Sequence, residues 1–529
     1  MGVSGGAGTA VDAKGGRAAL RGHLPLAVLL LAAVLVYRPW LTAPFSILDF
    51  SEFLPILREG GSFGERLAGL VRYFAGHGRS AWVTYAWISL NWSLFGDWSA
   101  GWDGMRFALM SGVVALAFAF LRRAGCPPFA AAAGAALLVV ATPAQEGWTR
   151  LTGEPLGLAA LLGAALLALG YQEAPRWAGR AISMALLLGA AVLAKEVLVV
   201  CAAPVLALAL FRRGGGVGWP ETSRRNLVLA GAAAAVLAGA AAVVLSTFGA
   251  TPAEGYAQSY GDGGMNLLRY KAHLRLIGLP LSRTLPDAAR VAALLLVTVM
   301  AAGWAAHLWD RGRRGSRAAV LLAALSVPVL GALVYLPWPR MERFYAFPFL
   351  AGPVVLLAVA VAALARRTHP ARVLLPVAAA LVLAGFDAAA HADESRAVRQ
   401  VNAAVAREIG GLRGTDSVYV AVPGHVMPAQ AWQGHGPTLR RYAVATGLAS
   451  GPAPAVADVR CEEGIGRWTG AARPAAVVSF AHLCGPLPGA TVVIERAHGY
   501  VDLLGMRRRE KTRRADVGLP RTVVAGAAR

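Results

Sequence analysis

Arginine falls on every second connection between eleven apolar stretches, and this alternation constrains the 529-residue chain more than any motif in it. The stretches lie near 25–41, 104–121, 128–142, 155–171, 181–194, 197–211, 226–248, 290–309, 318–337, 344–365 and 371–389. Each approaches the length that crosses a bilayer core as a helix, about 20 residues. One set of connections carries Lys14, Arg17 and Arg21, then Arg122 and Arg123, then Arg176 and Arg180. It continues with Arg212, Arg213, Arg224 and Arg225, with Arg311, Arg313, Arg314 and Arg317, and with Arg366, Arg367 and Arg372. The opposite set mixes signs and includes Asp49, Glu52, Glu59 and Glu65. Arginine-rich short loops stay in the cytoplasm. The pattern therefore predicts a mainly α, multi-pass protein of the inner (plasma) membrane, with a cytoplasmic N-terminus and residues 390–529 outside.

One junction decides that parity. Residues 181–211 are apolar except at Lys195 and Glu196. As a single helix they would span roughly 45 Å, more than the hydrocarbon core. Two short helices with Lys195 and Glu196 in an outer turn keep Arg212–Arg225 on the basic side. The first stretch, preceded by Arg17 and Arg21, lacks a small-x-small cleavage site and is expected to stay as a helix.

The formal charge of +22 suggests nucleic acid at first sight. Most of these arginines sit in short turns at the membrane, where they attract anionic headgroups, and nucleic acid is not an expected partner. The expected domains are a disordered stretch over 1–23, a transmembrane region over 24–389, a small extracytoplasmic α/β domain over 390–506 and a basic tail over 507–529. In the third of these, 394–411 reads as a helix, and 417–422, 476–480 and 491–495 read as strands. Cys461 and Cys484 fall where disulfides persist, and pairing and free thiols stand as equal readings. No metal-ligand cysteine spacing occurs.

In the first outer loop, 42–103, the spacing of Trp82, Tyr85, Trp87, Leu90 and Leu94 predicts a helix at the membrane surface or packed on other helices. Ionisable side chains at membrane depth are functional candidates by default. Asp49 and Glu52 sit one turn apart after the first stretch, where a carboxylate is able to deprotonate a hydroxyl. Lys195 has either Glu196 or a bound anion as its counter-charge. Arg340 and Arg343, in PWPRMERF, are spaced to clamp a phosphate, or Glu342 pairs with one of them. Glu146 and Arg150 are at helical ion-pair spacing. No transition metal is implied, although Asp and Glu at these positions are able to hold a hard divalent cation.

The order of these segments resembles the GT-C superfamily of integral membrane glycosyltransferases, in its protein O-mannosyltransferase and aminoarabinose-transferase branch. The resemblance covers about residues 25–365. It is carried by Asp49, by Gly78-Arg79 through LNWSLFG to Arg106, by TPAQEGWTRLTGEPL at 142–156, AKE at 194–196 and PRMERFYAFP at 339–348. It implies transfer, with inversion, of a sugar from a polyprenyl-phosphate carrier to a glycan, lipid or protein acceptor on the outer face. Asp49 then matches the general base, with Glu52 beside it. Glu146 or Glu154 matches a second acidic position, Lys195, Arg340, Arg343 and Arg79 lie on the donor phosphate, and Tyr345 lines the site. One departure stands out: Phe50 follows Asp49, so the family's Asp-x-Asp or Asp-Glu pair is missing. The alternatives are a transporter or flippase of a lipid-linked substrate and a non-catalytic glycolipid-binding relative.

Overall fold

The computed structural model describes residues 9–45, 47–76, 79–150, 152–213, 216–217, 223–248, 286–309, 314–336, 343–411, 417–423, 455–461, 468–469, 476–479, 492–495 and 521–523. For some of these only the backbone is described. The reading of Cys461 and Cys484 as a pair or as free thiols falls outside the described residues, as does the basic tail expected over 507–529 apart from the backbone of Arg521–Val523, which joins a sheet. Two compact units divide the chain. The first joins 1–38, 71–88 and 104–392, and the second joins 39–70, 89–103 and 393–529.

The first unit is helical. Its apolar helices are α1 (Thr9–Tyr37), α5 (Ser99–Arg123), α6 (Pro128–Val140), α8 (Glu154–Ala168), α9 (Trp177–Ala194) and α10 (Val199–Phe211), followed by α11 (Arg224–Phe248), α12 (Pro286–Trp309), α13 (Arg314–Val334) and α14 (Ala351–Arg367). The last helix is α15 (Pro370–Gly411), and α2 to α4 and α7 are short helices placed below. Every apolar stretch read from the sequence is mainly helical where it is described. Among the described residues, six helices are long and apolar enough to cross a membrane, or seven if the pair Pro128–Val140 and Thr142–Trp148, bent by 59°, is one span. Four more apolar helices are shorter: Glu154–Ala168, Glu196–Phe211, Val291–Ala306 and Val320–Val334.

Burial separates the hub from the rim. In the span Phe344–Arg367, 83 % of the most apolar window is buried, against 22 % in the first helix and in Arg224–Ser246. Gly134 of α6 lies so close to α14 that an added Cβ would meet Val354 O. Small residues allow such backbone approach in membrane bundles, where packing rather than water drives association. On the rim, Leu24, Val28, Leu31 and Leu35 of α1, Leu294 of α12 and Leu375 of α15 point outward. A solvent of lipid tails accommodates these side chains.

Two breaks follow local chemistry. The apolar run 181–211 is interrupted as expected: α9 stops at Ala194, Lys195 is extended, and a 3-10 turn over Glu196–Leu198 leads into α10. Helix α6 ends at Val140 and Ala141 is extended, because Pro143 supplies no N–H for the Val139 carbonyl and the ladder cannot continue. The segment beyond, where Glu146 and Arg150 have helical spacing, forms a short helix, α7 (Thr142–Thr149). A third expected break does not occur. Residues 371–389 and 394–411 belong to one continuous helix, α15. Between Phe386 and Ile409 there is no proline or glycine to stop it.

In the second unit, the first-loop segments form α2 (Ile47–Glu59), the start of α3 (Phe63–Ala75) and the end of α4 (Trp82–Phe95). Leu54, Leu57, Leu70 and Trp102 are buried there, with Phe45 edge-on to Trp102 at 5.9 Å. Helix α4 reverses the usual pattern. Thr84, Ser89 and Asn91 are buried, whereas Trp82, Leu90 and Leu94 are exposed, with Tyr85 turned inward. Beyond α15, the backbone of β3 (Ser417–Pro423) pairs in parallel with β4 (Ala455–Cys461) and β6 (Ala476–Ser479), and β6 pairs in parallel with β7 (Val492–Glu495). The antiparallel strands β5 (Trp468–Thr469) and β8 (Arg521–Val523) take the two edges. Two two-residue strands, β1 (Arg212–Arg213) and β2 (Gly216–Val217), pair within the first unit.

Candidate functional site

Four segments of the first unit bring polar side chains together. Glu154 opens α8, Lys195 caps the end of α9, Tyr335 follows α13, and Tyr345 lies in the 3-10 segment Arg343–Leu350. Lys195 Nζ stands 3.4 Å from Glu154 Oε1. It also lies 4.9 Å from the centre of the Tyr345 ring, a cation–π contact. Tyr345 stacks on the buried Tyr335 at 5.3 Å and 22°. The counter-charge of Lys195 is therefore the sequence-distant Glu154, while the adjacent Glu196 contributes only its field.

The backbone holds this arrangement tightly. Thr84 Oγ1 of α4 donates to Ala194 O at 3.0 Å, tying α4 to the last turn of α9. A Cβ on Gly153 would collide with Ala194 O and Thr84 Oγ1, so only glycine lets α8 begin where Glu154 meets Lys195. Across the site, α7 packs on the 3-10 segment. Trp148 meets Phe347 edge-on at 4.8 Å, and the Arg150 guanidinium covers the Phe344 ring at 4.4 Å. Trp148 Nε1 donates to Leu138 O at 2.8 Å and anchors α7 against α6.

An apolar cleft with an empty volume of about 620 Å³ runs along the same helices. Its walls include Leu161 and Ala165 of α8, Cys201 and Val205 of α10, Ala324 and Val327 of α13, and Pro348, Ala351 and Val355 beyond Tyr345, with Phe120 from α5. Pro348 lies three residues from Tyr345 and Cys201 six from Lys195. At about 2 Å per residue in the 3-10 segment, Pro348 of the cleft wall lies about 6 Å along the chain from Tyr345. Charge at one end and hydrocarbon along the other are the two halves of an amphiphile's binding site.

The remaining candidates are distributed as follows. Glu146 is half-buried in α7. Arg79 is exposed ahead of α4, with its N–H bonded to Phe74 O. Burial pushes the Tyr85 phenol well above its ordinary value, Glu196 adds to this, and Arg79 and Lys195 oppose it. The fields of all three charges thus reach one tyrosine that the sequence had assigned only to an apolar stripe. Asp49 and Glu52 both lie in α2 of the second unit, three residues apart on one helical face. Their side chains fall outside the described residues, as do Arg340 and the side chain of Arg343. The sequence reading missed Tyr335, Thr84 and Gly153. Tyr335 carried a signal, a lone phenol closing an apolar stretch before Pro337, whereas the roles of Thr84 and Gly153 depend on contacts that no local pattern encodes.

Helix α2 is held by arginines of its own unit. Arg66 Nε donates to Leu57 O at 3.1 Å and Gly60 O at 2.9 Å, satisfying carbonyls at the end of α2, and Arg66 Nη1 donates to Ser93 Oγ at 3.1 Å. Arg58 grips both oxygens of Asp97. Ser62 and Glu65 exchange backbone hydrogen bonds as a capping box at the start of α3. The backbone N–H groups of Ser62 and then Gly61 hold the Glu65 carboxyl below its usual range. Asp103 and Arg399 meet at 3.2 Å, both buried.

Among the described residues, no three His, Cys, Asp or Glu side chains gather to hold a metal. The Glu154 carboxylate is already matched by an ammonium, so these residues do not form the ligand set a divalent cation needs.

No protein-family model matches the chain, and no curated protein matches it. Among solved structures, it is similar to ArnT from Cupriavidus metallidurans bound to undecaprenyl phosphate, at a TM-score of 0.46 and 14 % identity over 75 % of this chain and 82 % of that one. It is also similar to the Archaeoglobus fulgidus oligosaccharyltransferase in complex with Zn and sulfate, at a TM-score of 0.43 and 10 % identity over 82 % of this chain and 62 % of that one. For AglB from the same organism, in complex with an inhibitory peptide and a dolichol-phosphate, the values are 0.42 and 12 % over 82 % and 65 %.

Proposed function

We propose that the chain is a membrane glycosyltransferase that takes a sugar from a polyprenyl-phosphate carrier and passes it, with inversion, to an acceptor on the outer face of the plasma membrane. The observation that carries this reading is that the apolar cleft is walled by residues close in sequence to the Lys195 cluster, Pro348 three from Tyr345 and Cys201 six from Lys195. A polyprenyl phosphate has the same two parts. Its phosphate suits a cation held at a helix break, and its tail suits a groove of Leu, Val, Ala and Pro. Eleven spans, a cytoplasmic N-terminus and an external α/β segment after 389 complete the proposal, on the charge rule.

In the reaction, the acceptor oxygen bonds to the anomeric carbon opposite the phosphate. The anomeric C–O bond breaks, its electron pair remains on the phosphate, and the acceptor proton passes to a base. Lys195 is set to stabilise the growing phosphate charge without reorganising, with Arg79, Arg340 and Arg343 as further cations. Asp49, backed by Glu52, is assigned the base, and Glu146 the second acidic position. Tyr345 fixes Lys195 through its ring face. Acceptor and sugar remain open within the class of glycans, lipids and proteins.

The test is transfer from a radiolabelled polyprenyl-phosphate sugar by purified protein in vesicles. Asp49→Asn is expected to abolish transfer while the protein still accumulates, and Lys195→Ala to raise the donor KM. Movement of the lipid across the bilayer without bond cleavage would support the flippase reading instead.

A further inference from the structure

Glu154 is the one acid in contact with Lys195 among the described residues, and its setting is unusual. Neither carboxylate oxygen has a hydrogen-bond partner among the described residues, and the side chain is almost wholly enclosed. The 3.4 Å separation from Lys195 exceeds the about 2.7–2.9 Å of a fully formed charge-assisted bond. Lys195 is the more accessible partner, so a phosphate reaches the ammonium while the carboxylate stays behind it. Glu154 then faces the bound phosphate at short range in a place water screens poorly.

This inference rests on the carrier reading above. The donor is a phosphodiester with one negative charge. Transfer breaks the anomeric C–O bond, leaves the electron pair on the phosphate oxygen, and sends the acceptor proton to the base. The spent carrier is a phosphomonoester, whose second ionisation near pH 6 brings it close to two negative charges at neutral pH. A fixed carboxylate beside the phosphate therefore opposes the product more than the donor. We propose that Glu154 drives release of the spent polyprenyl phosphate and sets the preference of the site for diester over monoester. Its lack of other hydrogen bonds leaves it able to close again on Lys195 as the phosphate departs. The same repulsion acts on the charge developing during transfer, so the glutamate exchanges some speed in the chemical step for faster turnover.

Binding of a polyprenyl phosphate and of its methyl diester to the purified full-length protein in vesicles tests this. In the wild type the diester is expected to bind at least as tightly as the monoester. Glu154→Gln is expected to tighten the monoester about ten-fold and the diester less, on the scale set by removing one nearby charge. It should also leave single-turnover transfer as fast or faster while slowing steady-state turnover, and Glu154→Asp should restore the wild-type ratio. A purely structural glutamate would weaken both lipids together. A wild type that binds the monoester ten-fold more tightly than the diester overturns the proposal without any variant, as does an unchanged ratio in Glu154→Gln. If neither lipid binds the wild type, the carrier reading falls as well. If both bind through Lys195 and the ratio does not move, only the release role falls.

Discussion

Arg58 and Asp97, in the first-loop unit, meet through two hydrogen bonds of 2.9 and 2.8 Å, whereas Lys195 and Glu154, in the helical unit, stand 3.4 Å apart. By geometry alone the first pair is the better made. The first pair, however, is 30 % and 60 % exposed and the second 17 % and 1 %. Water already solvates Arg58 and Asp97 when they separate, so their contact changes little. Glu154 is enclosed, and among the described residues Lys195 is the one cation in contact with it. Exposure rather than separation decides which pair governs the molecule, and the loosely met, buried charge lies where a ligand would find a cation only partly engaged.

The sharpest way to break this contrast is Lys195→Ala. It strands Glu154 and is expected to destabilise the protein by about 3–5 kcal/mol, whereas removing both partners should cost much less. Unfolding in detergent micelles, run as a double-mutant cycle, measures the difference. A Lys195→Ala protein within about 1 kcal/mol of wild type would place the pair with surface contacts. Gly153→Ala comes next. Its Cβ has no room against Ala194 O and Thr84 Oγ1, and overpacking of this kind costs about 1–3 kcal/mol. Because the shift displaces the Ala194–Lys195 turn that holds the cation, donor binding should weaken as well, which an unchanged affinity would contradict.

How far the sequence could foresee this site divides along the same line. The break at Lys195 was legible because a long apolar run cannot hold a charge and still cross the bilayer once. The partner of Lys195 was not, because Glu196 is adjacent in sequence while Glu154 is brought up by the packing of α8 on α9. The short helix α7 was hinted at by the helical spacing of Glu146 and Arg150, and Pro143 fits its first turn. The helix periods were plain in the apolar spacing. The inverted face of α4 was not, because Thr84, Ser89 and Asn91 are buried by contacts made elsewhere in the chain.

Smaller effects belong to the exposed contacts of the first-loop unit. Arg58→Ala is expected to cost under about 1 kcal/mol and to lose that in high salt. A salt-independent loss comparable to that of Lys195→Ala would remove the distinction between the two regions. The Glu65 cap should give the weakest signal. Its carboxyl is held low by the Ser62 and Gly61 N–H groups, so its contribution is present above the ordinary carboxylate range and disappears as pH falls through the lowered value. Glu65→Gln should flatten that acid limb of the stability curve and leave it unchanged near neutral pH.

The account depends on one ligand occupying both the Lys195 cluster and the apolar cleft. Its most direct measurement is the affinity of the reconstituted protein for polyprenyl phosphate, inorganic phosphate and the free polyprenol, with Lys195→Ala and a cleft-filling Ala324→Trp as partners. The account predicts tight binding only for the molecule that has both parts, lost on either substitution. Inorganic phosphate binding as well as the lipid, or a lipid affinity indifferent to both substitutions, would contradict it.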